Sequence, residues 1–150
     1  MASTPDPIPA SFLGTGWSFP PAFENGRARM SSDELDIYES LHILFGTIEG
    51  ERFLSPDYGL SVQELMFEPM STSLRTFLKD RVRTAILVQE PRIKVIDLEI
   101  ESPDPNDGTL NFGLTYEVRA TNSRFNLVFP FYRGEGNVAA ASVAGPARRA

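Results

Sequence analysis

Residues 74–100 run LRTFLKDRVRTAILVQEPRIKVIDLEI, and the change of period inside them decides the fold. As far as Ile86, the apolar residues Leu74, Phe77, Leu78, Val82, Ala85 and Ile86 recur three and four apart, the spacing of one stripe along an α-helix. Arg75, Lys79 and Arg83 fall four apart on a different face. Ser71 or Ser73 is the expected N-cap. Pro91 ends the helix, because its ring pushes the preceding residue out of helical geometry. From Ile93 the period becomes two. Ile93 and Val95, then Ile96, Leu98 and Ile100, describe a strand whose phase slips at Ile96, the mark of a bulge or of burial on both faces.

Downstream, the two-residue period persists. Ser102 to Gly108 is a turn rich in proline, aspartate and glycine. Leu110, Phe112, Leu114, Tyr116, Val118 and Ala120 alternate through a long strand with one buried face. After a turn at 121–123, Phe125, Leu127, Phe129 and Phe131 form a third alternating strand, followed by Tyr132. Pro130 lies inside it. Proline has no N–H for a ladder, so this strand is expected at a sheet edge, where another chain could pair with it.

Upstream, residues 31–46 are expected to form a first helix, with Ser31 and Glu34 as a capping box and Gly46 as the stop. Leu35, Tyr38, Leu41 or His42, and Phe45 are its apolar face. A loop from Thr47 to Gly59 follows, then a short second helix from Ser61 to Phe67, stopped by Pro69. Residues 1–30 are rich in proline, glycine and aromatics without helical period. They are expected to form an extended arm that pins Trp17, Phe19 and Phe23 onto its own domain or onto a partner. The expected architecture is α+β: an N-terminal extended arm (1–30), one domain (31–132) of three helices and a three-stranded antiparallel sheet with an edge C-terminal strand, and a tail (133–150) that is flexible or ordered by a partner.

Composition narrows the function classes. The chain has 150 residues and no cysteine, which removes disulfides, thiolate metal sites and a cysteine nucleophile. Its formal net charge is -6. Residues 75–94 carry six basic and two acidic side chains, a local +4, so the remainder carries -6 - 4 = -10. An acidic chain is a poor binder of nucleic acid or anionic membrane. Apolar runs are too short to span a bilayer, so no membrane insertion is expected, and Met1–Ala10 lacks the pattern of a signal peptide.

Residues that could carry chemistry have weak company. Glu49, Glu51 and Asp57 lie close together in a loop, as paired glycosidase carboxylates do, but Arg52 beside them opposes the raised pKa that a general acid needs. His42 is the only histidine and cannot by itself make a triad or metal cluster; it is expected to be packed in the core. No phosphate loop, nucleophile elbow or EF-hand is present. No catalytic residue, cofactor or metal site is assigned.

Four segments taken in order resemble the contractile-tail baseplate wedge and sheath-initiator family, the gene-25-product-like (GPW-type) proteins. They are Gly14–Pro20; Glu49, Glu51 and Arg52 running to Pro56, Asp57, Tyr58 and Gly59; Leu65–Pro69; and Glu90-Pro91-Arg92-Ile93. The run from Ala120 to Tyr132 looks most like members from extracellular contractile injection particles. The resemblance spans residues 12–132. It implies a helical half followed by a three-stranded antiparallel sheet, and a non-enzymatic structural subunit. Glu90, Pro91 and Arg92 would dock to the wedge's helical core bundle. Phe125, Leu127, Phe129, Phe131 and Tyr132 would join the first sheath ring by strand exchange. Implied partners are baseplate wedge proteins, first-ring sheath subunits and inner tube or hub proteins, with six copies per particle. Assembly would take place in the cytoplasm, with release outside the cell as part of the particle. Two other classes compete: a peptidoglycan hydrolase using Glu49 or Glu51, and an anti-adaptor-type regulatory binding module.

Overall fold

The computed structural model describes residues 11–62, 65, 68–103, 108–132 and 147–148. The aromatic arm is not simply extended. It folds into two small antiparallel pairs, β1 (Thr15–Trp17) with β4 (Met30–Ser32), and β2 (Phe23–Glu24) with β3 (Arg27–Ala28). Asn25 (φ 51°) and Gly26 (φ 74°) form the turn between β2 and β3. Positive φ at both central residues is the hairpin geometry that an Asn-Gly pair favours.

Helix α1 spans Asp33–Gly46, two residues later than expected. The expected capping box does not form. Ser31 is buried within β4, and Ser32, the actual N-cap, makes no side-chain cap bond. The buried face of α1 is Ile37, Tyr38, Leu41, Leu44 and Phe45; Leu35, expected inside, is exposed. Helix α2 spans Thr72–Gln89, and the Ser71 hydroxyl accepts from the Leu74 N–H at 3.1 Å. Leu74, Leu78, Val82 and Ile86 are buried along it, while Phe77 faces out.

Most of the expected helix at 61–67 lies outside the described residues, which omit 63, 64, 66 and 67; of the rest, residues 61 and 62 are irregular and Leu65 is in 3₁₀ geometry, its N–H bonded to the Val62 carbonyl. Two helices therefore carry the α half, among the described residues.

Strands β5 (Ile93–Glu101), β6 (Thr109–Val118) and β7 (Ser123–Tyr132) form an antiparallel meander. The β5–β6 register shifts between Val95 and Asp97, so the phase slip at Ile96 is a bulge. β6 and β7 pair without interruption from Thr109↔Tyr132 to Val118↔Ser123. The sheet has four strands, not three. β8 (Ala147–Arg148) pairs with β7 at Asn126 and Phe125, so the edge of β7 is covered there by its own chain; from Leu127 onward it has no strand partner among the described residues. Residues 133–146 and 149–150 of the expected tail, and 104–107 of the turn, lie outside the described residues.

The core lies between the helices and one face of this sheet. Phe45 of α1 stands over Phe112, Phe129 and Phe131, with ring centroids 6.2, 5.5 and 6.2 Å away. His42 packs beside them, 5.5 Å from Phe129 and 4.6 Å from Tyr38, and its Nε2 is buried without a hydrogen-bond partner. Burial pushes the His42 pKa below its usual 6.5. The unfolded chain then binds a proton at a higher pH than the folded one, so stability is lost as pH falls through and below 6.5. Urea midpoints should fall between pH 7 and pH 5. In His42→Phe that part of the pH slope should disappear, and an unchanged slope would mean that His42 is not the group responsible.

Candidate functional site

The turn from α2 into β5 carries the Glu-Pro-Arg segment. Pro91 stops α2, and the next residue, Arg92, folds back over the buried carboxylate of Glu90, which is 3% exposed. Arg92 Nε and Nη2 donate to the two Glu90 oxygens at 2.5 and 2.7 Å, a bidentate pair. Nη1 donates to Asp36 of α1 at 2.8 Å and to the Leu13 carbonyl of the arm at 2.9 Å. Hydrogen bonds to Glu90 above all, then to Asp36, raise the Arg92 pKa beyond its already high value. One guanidinium thus clasps the arm, α1 and the α2–β5 turn. The charges of Glu90 and Arg92 are satisfied within the chain, and 29% of the Arg92 side chain is exposed. Sequence reading could not name Asp36 or Leu13 as partners, because they lie 56 and 79 residues away.

What faces solvent near this clasp is a groove between α2 and the 47–62 loop. Phe77, Ala85 and Val88 of α2 line one wall, Leu60 and Val62 the other, with Glu49, Asp57, Asp80 and Arg81 among its polar lining; its volume is about 380 Å³. The loop is tied down from several points. Gln89 Nε2 at the end of α2 donates to the Asp57 carbonyl at 3.2 Å, Gly50 N–H to the Pro56 carbonyl at 2.8 Å, and Leu60 N–H to the Thr47 carbonyl at 2.9 Å. Gly59 has φ +115°, and a Cβ there would stand 2.5 Å from the Thr47 oxygen, so only glycine fits. Arg52 stacks over the Tyr58 ring at 4.0 Å.

The loop carboxylates have structural partners. Glu49 is ion-paired with Arg81 at 3.3 Å, with both side chains largely exposed, and Glu51 accepts from the Ile48 N–H at 3.1 Å. No group of three or more potential metal ligands occurs among the described residues. No described helix is long and apolar enough to cross a membrane.

The third feature is the edge of β7. Phe125, Leu127, Phe129 and Phe131 all turn into the core. From Leu127 onward its edge has no strand partner among the described residues, and Val128 (61% exposed) and Tyr132 (54% exposed) face out there. In the arm, Phe19 is tethered through its N–H to Glu39 at 3.1 Å. Trp17 and Phe23 are 64% and 67% exposed and meet edge to face at 6.1 Å. They are not pinned on their own domain.

This combination of a clasped arm, two helices and an antiparallel meander can be placed by comparison. The profile of the family described as baseplate wedge protein gp25 matches residues 31–123. The chain belongs to the gp25 family. A crystal structure from Geobacter sulfurreducens of a protein named as a tail lysozyme is 38% identical, covering 70% of this chain and 95% of that one, with a TM-score of 0.64. A chain of the anti-feeding prophage baseplate is 24% identical over 81% of this chain and 86% of its own, with a TM-score of 0.57. A chain of the type VI secretion system baseplate complex is 18% identical, covering 67% and 93%, with a TM-score of 0.55. The last two share the fold. A search of curated proteins returned no match. The chain is therefore a gp25-like baseplate wedge protein.

Proposed function

We propose that this gp25-like subunit seats in the baseplate through its α2 groove and Glu-Pro-Arg turn, and starts the sheath through the edge of β7, without catalysing any reaction. The observation that carries the reading is the edge itself: a long strand, fixed to β6 over all ten of its residues, whose other side from Leu127 to Tyr132 has no strand partner among the described residues. An unpaired ladder gains directional backbone hydrogen bonds from an incoming strand, which makes a repeatable joint.

In this reading the Arg92 clasp acts indirectly. It holds the arm, α1 and the end of α2 in one geometry, and the groove beside it receives a helix of the wedge core bundle. Phe77 and Val88 supply apolar contact there, and Glu49, Asp57 and Asp80 favour a basic helix face. Trp17 and Phe23 of the arm face inner tube or hub proteins. Residues 31–132 act as one domain, six copies surround the tube, and assembly takes place in the cytoplasm. Glu49 and Glu51, engaged by Arg81 and the loop backbone, are structural in this account.

Deleting β7 would not test the joint, because four core side chains would go with it. Val128 points outward and shares its backbone direction with Pro130, two residues on, where a missing donor is already tolerated. Val128→Pro should leave the melting temperature within a few degrees of wild type while particles accumulate as baseplates and tubes without sheath. Normal sheathed particles from this variant would contradict the joint.

A further inference from the structure

A second pocket, of about 430 Å³, lies between α1 and the arm. Phe19, Pro20, Met30 and Leu35 give it apolar walls, and Arg29, Ser31 and Glu39 are among its polar lining. None of these three belongs to the Arg92 clasp, and each is left short of partners. Glu39 is 6% exposed, yet among the described residues its carboxylate accepts a single hydrogen bond, from the Phe19 N–H at 3.1 Å. A carboxylate has room for about four, and a buried one is costly when so sparsely bonded. Ser31 is 3% exposed, and its hydroxyl has no partner. Arg29 is held by its backbone, donating to the Ala22 carbonyl at 2.8 Å and accepting from the Ser18 N–H at 2.9 Å. Its guanidinium makes neither a hydrogen bond nor an ion pair among the described residues.

We propose that this pocket seats an uncharged loop of a neighbouring baseplate protein: one apolar side chain of the loop fills it, and an adjoining peptide group donates to Glu39 and accepts from Arg29. That the neighbour is a baseplate protein rests on the function proposed above. The charges of the lining select the occupant. An ammonium or guanidinium entering to meet Glu39 would stand beside Arg29, and a carboxylate entering to meet Arg29 would stand beside Glu39, so either sign meets a like charge. An amide is donor and acceptor at once and serves both groups without adding charge. The apolar walls call for an apolar side chain next to that amide. The surroundings point to a protein and not to a small molecule. Trp17 stands opposite Met30 in the β1–β4 ladder and meets Phe23 edge to face, so exposed apolar surface continues outward from the pocket mouth. Such a patch around a desolvated pocket is the form of an interface hot spot.

Leu35 is exposed at the pocket wall in the first turn of α1, where an acidic side chain suits the helix dipole. Leu35→Glu should therefore leave the melting temperature within a few degrees of wild type while placing a charge in the pocket. When tagged wild-type and Leu35→Glu full-length chains compete for incorporation into baseplates, the variant should be taken up about tenfold less, the size of a hot-spot loss. In parallel, NMR of the full chain titrated with N-acetyl-leucine N-methylamide, an apolar side chain between two peptide groups, should show the Phe19 and Ser31 N–H signals moving. Acetate and methylammonium at the same concentration should move them less. Equal incorporation of Leu35→Glu, no response to the amide, or a larger response to either ion would overturn the proposal. Failure of the underlying reading looks different: Trp17→Ser/Phe23→Ser would then also be incorporated as well as wild type.

Discussion

Arg92→Ala should destabilise the protein by about 2–4 kcal/mol and release the arm. Removing one partner of a buried ion pair usually costs about 3–5 kcal/mol, because the other charge is left buried and unpaired. The range is set lower here because Arg92 itself is 29% exposed, although Glu90 is only 3% exposed. The loss has three parts: the bidentate bonds to Glu90, the ion pair to Asp36, and the bond to the Leu13 carbonyl. Arg92→Lys should recover less than half, since an ammonium cannot make the paired bonds of the guanidinium fork. Glu90→Leu/Arg92→Leu should be milder than Arg92→Ala, because the more deeply buried carboxylate goes with its partner and only Asp36 is left unpaired. Urea denaturation measures the stabilities, and limited proteolysis between Leu13 and Arg29 measures the arm. An Arg92→Ala protein of wild-type stability with a protected arm would show that the clasp holds nothing.

Phe45→Ala is expected to cost about 3–5 kcal/mol, the usual penalty for emptying a buried phenylalanine site. Phe45 is 1% exposed and is the one side chain of α1 that touches three aromatic rings of the sheet. Those rings belong to β6 and β7, fixed by a continuous ladder, so they cannot close the hole. Thermal unfolding should drop by on the order of 10 °C or more. Phe45→Leu, which keeps most of the volume, should lose about 1.5 kcal/mol or less. The same measurement on Phe77→Ala, at an exposed position of α2, is a control that should move little. A small effect of Phe45→Ala would mean that α1 is not seated on the sheet by this residue.

The sheet and α2 were legible because their periods are clean and Pro91 separates them. The Ile96 slip was readable as a bulge for the same reason. The expected short helix at 61–67 falls mostly outside the described residues, among which Leu65 alone is in 3₁₀ geometry. At α1 the serine–glutamate cue misled by two residues, since Ser31 is taken up in β4 and Asp33 enters the helix at φ +58°. Asn25-Gly26 is a hairpin signal that the aromatic and proline content of the arm obscured. The site was less legible than the fold. Glu90 and Arg92 were identifiable, but their burial depends on Asp36 and Leu13, which only tertiary structure brings to them. Pro130 pointed to an edge strand, the alternation of β7 turns Phe125, Phe129 and Phe131 inward, and nothing at Ala147–Arg148 announces a strand.

The account turns on what lies beside β7 in the assembled machine, and a cryo-EM reconstruction of the baseplate with its first sheath ring measures this directly. It should show a strand from a neighbouring subunit hydrogen-bonded along the edge of β7. A ring in which β7 meets only its own β8 and solvent, with the sheath attached elsewhere, would contradict it.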